Sequence, residues 1–126
     1  MKLSIGDVAA RSGVSVDSLR YYERESVLPP APRDSGGRRV YDESILDALT
    51  LVSALRAVGV GIAAVRIFMS LKAQESVPDR FRGALERCDV MEAQLDKRAR
   101  ELRAAKKLVR AMRAEAEAHL ARQAAT

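Results

Sequence analysis

The fold turns on one stretch: Ser4-Ile5-Gly6-Asp7-Val8-Ala9-Ala10-Arg11-Ser12-Gly13-Val14-Ser15-Val16-Asp17-Ser18-Leu19-Arg20-Tyr21-Tyr22-Glu23-Arg24. Ser4 followed three residues later by Asp7 has capping-box form, with each side chain answering the other residue's backbone N–H. Ile5, Val8 and Ala9 then share one helical face, so a short helix is expected over about 5–12. Gly13 stops it. Ser15 caps a second helix, with Val16, Leu19 and Tyr22 on its inner face, running to about Glu25. Two short helices joined by a tight glycine turn make a helix-turn-helix pattern over about 5–24.

Outward from this stretch the punctuation continues. Pro29-Pro30-Ala31-Pro32 is stiff and extended. Asp34-Ser35-Gly36-Gly37 is a turn, and Arg38-Arg39-Val40-Tyr41 is β-prone, so a small hairpin wing is expected there. Asp42 is expected to cap a third helix through Ile45, Leu46, Leu49, Val52 and Leu55. Gly59 and Gly61 break that helix, and a fourth covers Ile62 to Leu71. Residues 1–72 hold six of the seven glycines and three of the four prolines, which separates them from the rest of the chain.

Ser76-Val77-Pro78-Asp79 restarts the chain with a cap, a proline in the first turn and a carboxylate at the third helical position. From there, Phe81, Ala84, Cys88, Met91, Leu95, Arg98, Leu102, Ala105, Val109, Met112, Ala116 and His119 alternate three and four apart, and ten of the twelve are apolar. Such a repeat is a coiled-coil seam. The stripe cannot be buried by its own helix, and no other segment is long enough to cover it, so a homodimer is expected. The seam residues are Phe81, Cys88, Met91, Leu95, Leu102, Val109 and Met112. The dimerisation helix is expected over 76–120, with the alanine-rich 121–126 as a frayed tail.

Composition bounds the function. Within 126 residues, Lys+Arg is 22 and Asp+Glu is 17, a net charge of +5. The apolar share of 48% is too high for a disordered chain. One cysteine excludes a disulfide framework and any multi-thiolate site within one chain. The longest uncharged apolar run, Ala57 to Val65, is far shorter than the roughly 20 residues of a membrane span. With no long apolar leader at the N-terminus, a cytoplasmic protein is expected. No nucleophile–base pair, phosphate-cradling loop or paired acid cluster is present, so an enzyme is not expected. Six arginines fall between Arg20 and Arg56, close to turns and helix starts. Lys97, Arg98, Arg100, Arg103, Lys106, Lys107, Arg110 and Arg113 form a second basic cluster, which reads first as a solvated helix face.

These segments together resemble the MerR family of bacterial transcription regulators. The resemblance is carried by Leu3-Ser4-Ile5-Gly6-Asp7-Val8-Ala9, Gly13-Val14-Ser15-Val16, Leu19-Arg20-Tyr21-Tyr22-Glu23-Arg24, Leu28-Pro29 and Gly37-Arg38-Arg39-Val40-Tyr41. It implies a mainly α fold: a winged helix-turn-helix domain over 1–72, then a long helix forming an antiparallel coiled-coil homodimer. It implies a regulator that distorts near-palindromic operator DNA at a promoter, with RNA polymerase as a partner and a small-molecule effector whose identity is unknown. The DNA-contacting residues it implies are Ser15, Asp17, Ser18, Arg20, Tyr21, Tyr22, Arg38, Arg39, Tyr41 and Arg56. Other readings are an architectural or excisionase-like DNA binder, and a coiled-coil adaptor that lays its basic stripe on an acidic partner. Metal-sensing and iron–sulfur relatives use several cysteines, so no metal or other cofactor is expected. Cys88 reads either as a small apolar seam residue or as a candidate sensor thiol. Asp17 departs from the basic or neutral residue that relatives often carry there, Arg38 stands where many relatives have an aromatic or polar residue, and two glycine positions depart as well. Ser26 stands where relatives keep glycine, which would cost about 1 kcal/mol if positive φ is needed there. Gly61 stands where a capping serine is common.

Overall fold

The computed structural model describes residues 2–70 and 76–125. In chain order these are β1 (Lys2–Leu3), α1 (Ile5–Ser12), α2 (Val16–Arg24), β2 (Tyr41–Asp42), α3 (Ile45–Ala57), α4 (Ile62–Met69) and α5 (Val77–Ala124). The chain divides into two units between Arg87 and Cys88.

The helix-turn-helix forms where local chemistry requires it. Ser4 Oγ accepts the Asp7 N–H at 3.1 Å, and the Asp7 carboxylate accepts the Ser4 N–H at 3.1 Å. Gly13 closes α1 at φ 75°, a conformation that side chains disfavour, and donates its N–H to the Ala9 carbonyl. Ser15 then caps α2 by accepting the Ser18 N–H. Val8 and Leu19 are fully buried, one from each helix, and pack in one core with Leu3, Leu28, Tyr41 and Leu49.

The wing is slighter than the β-prone run suggests. Its turn is closed by a single bridge between Arg33 and Arg39, flanked by the Asp34 N–H on the Arg38 carbonyl and the Val40 N–H on the Pro32 carbonyl. Tyr41 leaves this hairpin and pairs with the N-terminus instead, with Leu3 opposite Tyr41 and Lys2 opposite Asp42 in antiparallel register. Leu3 and Tyr41 are both core residues, and pairing their backbones lets both side chains reach the same apolar centre.

Several boundaries differ from the sequence reading. Ser44, not Asp42, is the N-cap of α3, and it makes no side-chain cap bond. Asp42 stands further out, where its carboxylate accepts the Ser44 N–H at 3.2 Å and the Ser44 hydroxyl at 2.5 Å. These bonds hold its pKa below the usual carboxylate value. The fourth helix ends at Met69, and Leu71 lies outside the described residues. Gly61 caps α4 without a side-chain bond, as expected of a glycine at that position. Ser26 sits at φ 58°, so the serine does occupy a left-handed position. At the far end, α5 does not fray after His119 but continues to Ala124. Alanine has the highest helix propensity, and the Ala125 N–H still reaches the Ala121 carbonyl.

Candidate nucleic-acid interface

The interface begins with the surface of α2. Leu19 is buried, Val16 half-buried, and Tyr22 packs against the core. The rings of Tyr21 and Tyr22 tilt together with centroids 5.9 Å apart. Asp17 and Arg20 are exposed. Ser15 is engaged locally: beyond its cap role, its hydroxyl donates to Ser18 Oγ at 3.0 Å. Both hydroxyls therefore stabilise the start of α2, and each keeps capacity for a further bond.

Glu23, on the inner side of α2, is a residue that the motif reading does not single out. Its Oε2 accepts Arg39 Nε at 3.2 Å, and its Oε1 accepts the Tyr41 hydroxyl. The Glu23 side chain is only 11% exposed and that of Arg39 26%. Tyr41 is expected from the motif to contact DNA. At 3% exposure, with its hydroxyl given to Glu23, it is instead a core residue and offers no exposed contact. Burial pushes its phenol pKa up, the hydrogen bond to Glu23 adds to this, and Arg39 and Arg20 oppose it. Arg20 therefore lies within electrostatic reach of this cluster.

The remaining arginines of the first 70 residues divide by partner. Arg56, expected at the DNA backbone, donates to the Val60 carbonyl at 3.2 Å and so closes the end of α3. Arg33 donates to the Gly37 carbonyl across the wing turn at 2.7 Å. Arg11 pairs with Glu43 at 3.0 Å. Arg66, also unforeseen, reaches from α4 to Glu25, where it binds both the backbone carbonyl and, at 2.6 Å, the carboxylate. Among the described residues of this region, Arg20, Arg24 and Arg38 have exposed side chains with no hydrogen bond or ion pair. Two of these lie on α2 and one on the wing. No sequence signal separates paired from unpaired arginines, because their partners lie up to 41 residues away.

The second candidate surface runs along α5. Phe81, Leu102, Val109 and Met112 are between 62% and 74% exposed, and Cys88 is exposed as well. Leu95 is half-buried, and Met91 is buried at 4%. Most of the apolar seam is thus uncovered in the single chain. Among the described residues no group of three or more His, Cys, Asp or Glu side chains could hold a metal ion, and no helix is long and apolar enough to cross a membrane.

Comparison with known proteins gives a consistent picture. The profile described as MerR HTH family regulatory protein matches residues 3–72. Nodulation protein NolA of Bradyrhizobium sp. (strain NC92) is 32% identical over 89 residues, covering 71% of this chain and 37% of that protein. The HTH-type transcriptional regulator ZntR homolog of Haemophilus influenzae is 30% identical over 70 residues, covering 56% of this chain and 52% of that protein. The chain therefore spans about half or less of the length of these relatives. Among solved structures, HiNmlR, described as a MerR family regulator lacking the sensor domain and bound to promoter DNA, superimposes with a TM-score of 0.59. It is 22% identical, with 86% of this chain and 88% of that one covered, and so shares the fold.

Proposed function

Because this chain belongs to the MerR family of helix-turn-helix regulatory proteins, we propose that it is a sequence-specific DNA-binding transcriptional regulator that acts at promoters as a homodimer. The observation that carries this reading is the set of unpaired guanidinium groups on α2 and the wing, Arg20, Arg24 and Arg38. An exposed arginine that makes no internal bond has all five donors free for phosphate oxygens or a guanine edge. Asp17, Ser18 and Tyr21 flank Arg20 and supply the base-edge readout, Asp17 by accepting from cytosine N4. Arg39 adds a half-exposed cation at the wing. Tyr22, Tyr41 and Arg56 serve by holding the elements in place.

The uncovered seam of α5 supports a coiled coil with a second copy; in the antiparallel arrangement that the family resemblance implies, it sets two reading heads on a near-palindromic operator. Phosphate contacts from both copies strain the duplex, and the cost of that strain depends on sequence at positions the protein does not touch. RNA polymerase is then the partner that responds to the altered promoter. The protein works in the cytoplasm, without catalysis and without a resident cofactor, and an effector would act through the long helix.

Footprinting and affinity measurements on promoter fragments across a salt series test the reading. Log affinity should fall linearly with log salt, by about 0.9 per phosphate neutralised. Arg20→Ala should flatten that slope and weaken operator binding by about tenfold or more, within the range of one lost bidentate contact. Binding that is independent of salt, or unaffected by Arg20→Ala, would overturn it.

A further inference from the structure

The Glu23 carboxylate joins three elements that share no other polar side-chain contact. It sits on α2, receives Arg39 from the wing and receives Tyr41 from β2. The wing needs such a tether. Its hairpin has one bridge, between Arg33 and Arg39, and every hydrogen bond around its turn joins residues of the wing itself: Asp34 N–H to the Arg38 carbonyl, Val40 N–H to the Pro32 carbonyl, Gly37 N–H to the Asp34 carbonyl, the Gly36 and Arg38 N–H groups to the Asp34 carboxylate, and Arg33 to the Gly37 carbonyl. An isolated two-stranded hairpin is marginal in water. Arg39 also commits only its Nε to Glu23, which leaves the two terminal nitrogens of the guanidinium without a partner among the described residues.

We propose that Glu23 is a positioning residue that fixes the wing to α2 and holds Arg39 in one orientation, so that its free nitrogens meet a DNA phosphate already ordered. The inference rests on the DNA-binding reading above for its consequence, though not for the tether itself. The physical basis is entropic. A free arginine loses its rotamer freedom on binding, whereas one fixed by an ion pair has lost much of it beforehand. The pairing also cancels the repulsion that an open carboxylate would exert on the DNA backbone. Glu23 thus acts through Arg39, and its effect falls on specific binding, where the wing and α2 must engage one duplex at a set separation.

Glu23→Gln provides the test. The amide keeps an acceptor for the Tyr41 hydroxyl, removes the ion pair and raises the net charge by one. Non-specific affinity should therefore hold or rise, while the ratio of operator to non-specific affinity falls about tenfold, the scale of coupling within a hydrogen-bonded charge pair. A merely destabilised domain would lose both affinities together. Arg39→Gln should lower the same ratio, and the double variant should be no worse than Arg39→Gln alone. Hydrogen exchange on the free protein reads the tether directly: the Asp34 and Val40 amides should exchange faster in Glu23→Gln. If that variant does not fold, Arg39→Gln, which leaves the Tyr41 bond intact, should show the same faster exchange. An unchanged affinity ratio in a folded Glu23→Gln, or unchanged exchange at the wing, would overturn the proposal. Wild-type protein with no operator preference would instead overturn the functional reading, and the exchange measurement would still decide the tether.

Discussion

Ser26 and Tyr41 show how single residues carry opposite kinds of energetic burden. Ser26 follows α2 in a left-handed conformation, φ 58°, that glycine adopts without strain. Ser26→Gly should therefore stabilise the folded domain, by up to about 1 kcal/mol less the entropy that glycine adds to the unfolded chain. Urea denaturation measures it, and a loss of stability would show that the serine side chain has a role no contact reveals. Tyr41 carries a titration. Its folded-state pKa is raised, first by burial and then by Glu23. Its contribution is complete below the unfolded phenol pKa of about 10 and declines as pH rises above that value, where the unfolded chain ionises and the folded one resists. Tyr41→Phe should be less stable than wild type at neutral pH, through loss of the hydroxyl bond. The gap between the two should narrow between about pH 10 and 11 as the wild type weakens. Denaturation curves at a series of pH values read this gap. A constant gap would mean that the phenol titrates freely.

At the scale of elements, legibility in the sequence follows sequence separation. The Ser4–Asp7 box, the Gly13 stop and the Ser15 cap each depend on residues within three or four positions, and the boundaries of α1 and the start of α2 are readable from them. The pairing of Leu3 with Tyr41, the Glu23 cluster and the bond from Arg66 to Glu25 link positions 16 to 41 residues apart. No local pattern encodes them, because they exist only after the core has placed α2, α4 and β2 together. This is also why the motif assigns Tyr41 to DNA: a matching motif shows which residue is present, not which way it faces. Arg66 gives the element-scale prediction. It holds the C-terminal end of α2 through the Glu25 carbonyl and carboxylate, at a partly exposed site, so Arg66→Met should cost about 1 kcal/mol. Exchange at the last turn of α2 should rise more than at α1. Equal changes in both helices would mean that Arg66 supports the domain as a whole and not that end.

The whole molecule pairs a small core, whose central cluster lies in the first unit, with a helix of 48 residues, about 72 Å long at 1.5 Å per residue. Its seam places Cys88 off-centre. In an antiparallel coil over about 76–120 with its midpoint near Arg98, the two Cys88 sulfurs lie roughly 30 Å apart. A disulfide needs Cα atoms within about 7 Å, so mild oxidation of the native protein should yield no covalent dimer on non-reducing electrophoresis. Efficient Cys88 cross-linking would establish a parallel coil instead. The uncovered seam has one more consequence, for dosage. On the proposed homodimer reading, where single chains outnumber pairs the amount of pair varies as the square of the total chain, so doubling synthesis quadruples the species that would grip both half-sites. A promoter read by such a protein responds to its abundance more steeply than one read by a monomer, and the steepness vanishes once pairs predominate.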